Sequence, residues 1–136
     1  MEILPWHRPL TDKDILVIVQ KTGLFPLFQG VFSRDEIATR SSPPLAYECG
    51  IINLDCSSGR GTHWTCWFKH ESIVHYYDSF GNLPPPVEFV KFFDKYEVYY
   101  NWEREQEYDT FICGHLCLCF LFVCYSALKD ALNIKY

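Results

Sequence analysis

The stretch FICGHLCLCFLFVCYSAL, residues Phe111 to Leu128, decides the architecture. Apart from Gly114, His115 and Ser126 it is apolar, with its cysteines acting as small hydrophobic residues. A helix apolar on every side either crosses a membrane or lies at the centre of a globular core. This stretch is barely long enough to span a bilayer, and the polar, strand-forming sequence ahead of it favours the core. It predicts a buried helix from about Ile112 to Leu128 and no membrane partner. The sheet that this helix covers must come earlier in the chain.

Upstream, Asn101 to Thr110 carries five charges in ten residues and reads as a surface loop. Glu97 to Tyr100 is a strand. Val87 to Phe93 is a short helix that Pro86 starts, and Ser79 to Pro86 (SFGNLPPP) breaks regular structure. Thr62 to Lys69 and Ile73 to Asp78 form a β-hairpin, with Lys69 to Ser72 as the connection. Asp55 to Gly61 (DCSSGRG) is a turn-rich loop, and Cys49 to Leu54 (CGIINL) a buried strand. Arg40 to Pro44 is a loop and Leu27 to Ser33 is extended. Thr11 caps a first helix, with Asp14 three residues later completing a capping box. Ile15, Ile18 and Val19 share its apolar face, and Gly23 stops it. Residues 1–10 are an irregular N-terminal arm. The order predicts an α+β domain, a central mixed β-sheet packed against a buried helix.

The chain has 136 residues, of which 49% are hydrophobic and 18% aromatic, so a single folded domain over residues 1–136 is expected and disorder is not. The net charge is −5 and no run of Lys and Arg forms a nucleic-acid tail. The N-terminus has no secretory pattern. Seven cysteines, an odd number, argue against a disulfide framework and for an intracellular, reducing compartment.

Cys113 stands where the polar loop turns into the apolar helix. A thiol at a helix N-terminus feels the positive end of the dipole, which favours the thiolate. Gly114 beside it lets a substrate backbone approach and leaves amide groups open to hold an oxyanion. The thiolate needs an imidazole oriented by a third group. His63 begins a strand just after a glycine-rich loop, and Asp78 ends the partner strand. The hairpin therefore brings the pair together, and Asp78 accepts the second N–H of His63 and fixes its tautomer. Gln106, seven residues before Cys113, offers a side-chain amide for the oxyanion. Each of these residues alone has an ordinary structural role: packing for Cys113 and His63, turn capping for Asp78, solvation for Gln106. Their joint order carries the weight.

That order resembles the adenovirus protease (adenain) family, in the clan that includes the SUMO-specific, Ulp-type proteases, within the papain-like cysteine proteinase superfamily. The matching motifs are His63-Trp64, Tyr77-Asp78-Ser79-Phe80-Gly81, Gln106 and Cys113-Gly114. Gln29 to Phe32, Cys49 to Asn53, Gly61-Thr62 and Cys113 to Leu121 agree as well. The resemblance implies a thiol endopeptidase with a Cys-His-Asp triad that cleaves after glycine in viral or virus-like element precursor proteins, as in virion maturation. It implies that Trp64 narrows the cleft beside the scissile glycine. A peptide activator and DNA stimulation come with the adenoviral branch, and a virion or host nucleus as the place of action. The sequence itself requires no cofactor, and the acidic net charge speaks against strong DNA stimulation. The adenoviral enzymes use a glutamate where Asp78 stands. Their region beyond the nucleophile helix has no counterpart before Tyr136.

Three other functions compete. A ubiquitin-like isopeptidase shares the chemistry and the preference for glycine. A catalytically inactive relative would bind peptides in the same cleft. A metal site built on Cys113, His115, Cys117, Cys119 and Cys124 is disfavoured: on a helix Cys113 and Cys117 share a face while His115 and Cys119 point elsewhere, and no Cys-x-x-Cys knuckle occurs. His7, His70, His75 and His115 are expected to be structural.

Overall fold

The computed structural model of the chain describes residues 4–24, 26–54, 63–106 and 110–134. The glycine-rich loop expected at 55–61 lies outside them. Five strands form one mixed sheet in chain order: β1 (Phe28–Ser33), β2 (Tyr47–Asn53), β3 (Trp64–His70), β4 (Ile73–Tyr77) and β5 (Glu97–Tyr100). The central three run antiparallel, while β1 and β5 join the edges in parallel. The helices are α1 (Asp12–Thr22), α2 (Arg34–Ile37), α3 (Val87–Phe92) and α4 (Cys113–Ile134). This is the expected α+β architecture, with a mixed sheet against the cysteine-bearing helix.

Local sequence accounts for the element ends. Thr11 and Asp14 exchange the reciprocal bonds of a capping box, and Gly23 closes α1 in the left-handed region at φ 82°. β3 and β4 run through to His70 and Ile73, so the hairpin turn is only Glu71 and Ser72, shorter than the connection predicted from Lys69. The pattern did not announce α2. Four residues are too few for a hydrophobic period, and a capping box at Ser33 and Glu36 makes this single turn.

β3 is buried along almost its whole length because both faces of the sheet are covered. Trp64, Cys66 and Phe68 face α1 and α4, packing with Ile15, Ile18, Val19, Leu118 and Leu121. On the opposite face Trp67, Val74 and Tyr76 meet Ile37 of α2 with Phe89 and Phe93 at α3. The period of two is therefore present in the packing but hidden in the sequence, where both faces are apolar. The Trp67 indole lies on Gly50 so closely that a Cβ there would meet its ring at 2.2 Å. Gly50→Ala is expected to cost about 3 kcal/mol by overpacking, read as a lower urea midpoint with unchanged slope.

Two buried cations fasten the loop after α2. Arg40 makes a two-pronged ion pair with Glu48 at 2.7 and 2.8 Å, and Glu48 also accepts from Trp67 Nε1 and the Leu45 N–H. Lys69 donates to the Leu45 carbonyl and sits 4.3 Å from the centre of the Tyr96 ring. Each charge is satisfied, as burial demands.

α4 runs to Ile134, past the predicted end near Leu128, and covers only one face of the sheet. Cys113, Cys117, Leu118 and Leu121 are buried, whereas Val123 is 70% exposed. By length and composition Cys113–Leu132 is able to cross a membrane, with 22% of that window buried. In the fold its N-terminal half is docked on β3 through hydrogen bonds: the Trp64 carbonyl accepts from the Cys117 thiol at 3.4 Å, and the Cys117 carbonyl accepts from the Cys66 thiol at 3.7 Å.

Candidate active site

The hairpin register places the first two members of the site. Cys66 stands opposite Tyr77 and Trp67 opposite Tyr76. Continuing that pairing puts Thr65 opposite Asp78 and His63 opposite Phe80, so His63 and Asp78 are diagonal neighbours on one side of the hairpin's open end. The side chains meet accordingly. His63 Nε2 bonds Asp78 Oδ1 at 2.8 Å, and the Phe80 ring lies flat on the imidazole, centroids 4.2 Å apart and planes 6° apart.

The third member comes from α4. Cys113 is its first residue, and the first amides of a helix have no intrahelical acceptor. The Cys113 sulfur accepts the Trp64 N–H at 3.4 Å, which draws it to the strand residue next to His63. Cys113 also acts on His63, adding to Asp78 in favouring the charged imidazole. With Nε2 taken by Asp78, Nδ1 is the nitrogen left for the sulfur. Burial opposes a charge on His63, but the bond to Asp78 and then the interaction with Cys113 outweigh it and raise its pKa to about 9. Such an imidazole keeps its proton at neutral pH and can pair with a thiolate.

Asp78 is fixed from several directions. Its Oδ1 also accepts the Phe80 N–H at 2.9 Å, its own N–H donates to Asn101 Oδ1 at 2.9 Å, and its carbonyl accepts from Asn101 Nδ2 at 2.7 Å. The sequence reading did not pick out Asn101 or Phe80. Phe80 carries no signal beyond its place in the Tyr-Asp-Ser-Phe-Gly motif, and Asn101 gives none because its partner lies 23 residues away.

Gln106 is buried rather than solvated. Its Oε1 accepts the Ser79 hydroxyl, and its Nε2 donates to the Thr110 carbonyl at 3.0 Å. The amide thus sits between the residue after Asp78 and the approach to α4, and among the described residues its second Nε2 hydrogen has no acceptor. Trp64 is also buried, its indole N–H bonded to the Leu10 carbonyl at 3.1 Å. At Gly114 an added Cβ would lie 3.0 Å from Trp64 Cδ1 and 3.3 Å from Leu10. The glycine therefore lets α4 settle against Trp64 and the arm.

The remaining α4 cysteines and His115 do not converge. His115 turns to the arm, bonded to the Pro5 carbonyl at 2.9 Å and stacked on Trp6. Among the described residues no group of three or more His, Cys, Asp or Glu side chains is gathered for a metal. The six described cysteines are free. Burial pushes the Cys49 thiol up to about 12 and Cys124 to about 11, and raises Cys66, Cys117 and Cys119. These five are packing thiols.

The five-stranded mixed sheet with its C-terminal covering helix is consistent with the fold of the Ulp1-like cysteine proteases. One solved structure it resembles is that of the SUMO protease Ulp1 with the catalytic cysteine oxidized to a sulfonic acid, at 15% identity and a TM-score of 0.54, covering 91% of this chain and 70% of that one. No family model and no curated protein matches the chain.

Proposed function

We propose that the chain is a cysteine protease acting on a polypeptide with glycine at the cleavage site. The observation that carries this is His63 joined to Asp78 at 2.8 Å, with Cys113 at the start of α4 held by the N–H of the next residue, Trp64, at 3.4 Å. Cys113 attacks the scissile carbonyl as a thiolate while His63 holds the proton. The oxyanion forms between the Cys113 N–H and the second Nε2 hydrogen of Gln106. His63 then protonates the leaving amine, and water hydrolyses the thioester. Glycine at the cleavage site comes from the family resemblance; Trp64 and Gly114 stand beside Cys113 but pack on each other and on Leu10.

Gln106→Ala is expected to lower kcat about 100-fold or more through the lost oxyanion donor. Alkylation of Cys113, which builds no oxyanion, should keep its rate. Equal loss in both assays would mean that Gln106 serves only the fold.

The likeness to a SUMO protease favours a second substrate class, an isopeptide-linked ubiquitin-like protein. Linear glycine-containing peptides and ubiquitin-like conjugates, compared at equal enzyme concentration, separate the two, with Cys113→Ala as the blank. Cleavage of peptides alone supports the maturation endopeptidase, including its viral form. Cleavage of conjugates alone supports the isopeptidase. Cleavage of neither, also after addition of DNA or a candidate activating peptide, would leave an inactive peptide-binding relative.

A further inference from the structure

We infer that Asn101 is a positioning residue for Asp78, holding the acidic member of the site in line with His63 by clasping its backbone. The inference rests on the protease assignment and adds to it a residue that the motifs do not contain.

Strands β4 and β5 pair in parallel up to Tyr76 and Tyr100. Asn101 follows Tyr100, and Asp78 follows the last β4 residue, Tyr77, where the ladder has ended and backbone groups lose their partners. The Asn101 side chain supplies both missing bonds, accepting the Asp78 N–H at 2.9 Å and donating to the Asp78 carbonyl at 2.7 Å. Its other Nδ2 hydrogen goes to the Glu103 carbonyl at 3.1 Å. One amide thus locks the peptide groups on both sides of the Asp78 Cα. With the Oδ1 contact from the Phe80 N–H, this leaves the carboxylate little freedom to turn.

The clasp extends along the turn. The Asn82 N–H donates to the Asn101 carbonyl at 2.8 Å, and the Glu105 N–H to the Ser79 carbonyl at 2.8 Å. The Tyr77 hydroxyl donates to Glu105 at 2.7 Å, and Ser79 to Gln106. Gly81, at φ 77°, lies so close to this segment that an added Cβ would stand 2.5 Å from the Arg104 nitrogen. The 78–82 turn and the 101–106 segment are therefore one zipped unit, which carries Asp78 at one end and Gln106 at the other. Among the described residues, the charged groups near Asp78 are His63 at Oδ1 and, lining the same pocket of about 550 Å³, Arg34 and Glu88.

The test follows the His63 ring by NMR from pH 5 to 10, and Cys113 alkylation at pH 6.5, in wild type, Asn101→Ala, Asn101→Asp and Asp78→Asn. Asn101→Asp preserves shape and the acceptor for the Asp78 N–H but loses the donor. The His63 midpoint is expected to fall in Asn101→Ala by about one unit from the wild-type value, in the direction of Asp78→Asn, with alkylation slowed about tenfold. Asn101→Asp should fall between. This readout separates positioning from a merely structural role, because a weakened fold whose His63 still meets Asp78 keeps its midpoint. An unchanged midpoint in both folded Asn101 variants would overturn the inference while leaving the protease assignment standing. A wild-type Cys113 that reacts no faster than the packing thiols would overturn the assignment, and the inference with it.

Discussion

Cys113→Ala is expected to abolish peptide cleavage, lowering kcat about 10⁵-fold, while the protein still folds and binds substrate. The size follows from the chemistry. Without sulfur there is no nucleophile, and His63, Asp78 and Gln106 then have nothing to activate. Groups that act as one unit are strongly non-additive. Cys113→Ala,His63→Ala should accordingly be no slower than Cys113→Ala alone. The structural cost is small by comparison: the side chain leaves a cavity of one sulfur atom and frees the Trp64 N–H that donated to it. A thermal melt within a few degrees of wild type, beside a blank cleavage assay, is the expected pair of results. Cleavage that survives Cys113→Ala would remove the thiol from the mechanism.

The second large effect belongs to His63. In His63→Ala the cleavage rate should fall about 10³-fold, and alkylation of Cys113 at pH 6.5 should drop to the level of the packing thiols. The pH dependence has a definite sign. The pKa of His63 is raised from 6.5 to about 9 in the folded chain, so the native state holds its proton more tightly than the unfolded chain does. The stability this contributes is fully present below about pH 6.5 and is lost as pH rises through about 9. Wild type should therefore lose thermal stability between pH 7 and 10 by an amount that His63→Ala does not share. Cleavage should decline above about pH 9, because a neutral imidazole has no proton for the leaving amine. A flat stability difference across that range would contradict the bond to Asp78.

The sequence carried the parts of the molecule that depend on near neighbours. Thr11, Asp14 and Gly23 start and stop α1 through contacts within a few residues, so their spacing was enough. The hairpin bearing His63 and Asp78 was legible for the same reason. Two apolar runs on either side of a short turn mark the hairpin, and its register puts diagonal residues in contact. The apolar run from Phe111 was legible as a helix with Cys113 at its head. The depth of that helix was not. The pattern is apolar all round, yet only one face lies on β3 and Val123 stands 70% exposed. Hydrophobicity says which residues leave water and does not say how many layers a fold has.

The tertiary structure alone decided the rest. That Cys113 meets His63 depends on α4 docking on β3, through Gly114 against Trp64 and through thiols bonded to the Trp64 peptide groups. These contacts join residues about fifty positions apart, where no local pattern operates. Gln106 stands among charged neighbours, where a solvated amide is the ordinary alternative to an oxyanion donor, and it is buried because Ser79 and Thr110 take its amide. Asn101 looked like any loop residue until the end of β4 was set beside the end of β5. The types and order of the reactive groups are properties of the chain. Their orientation comes from backbone groups left unpaired where strands end, and only the folded sheet determines which side chains reach them.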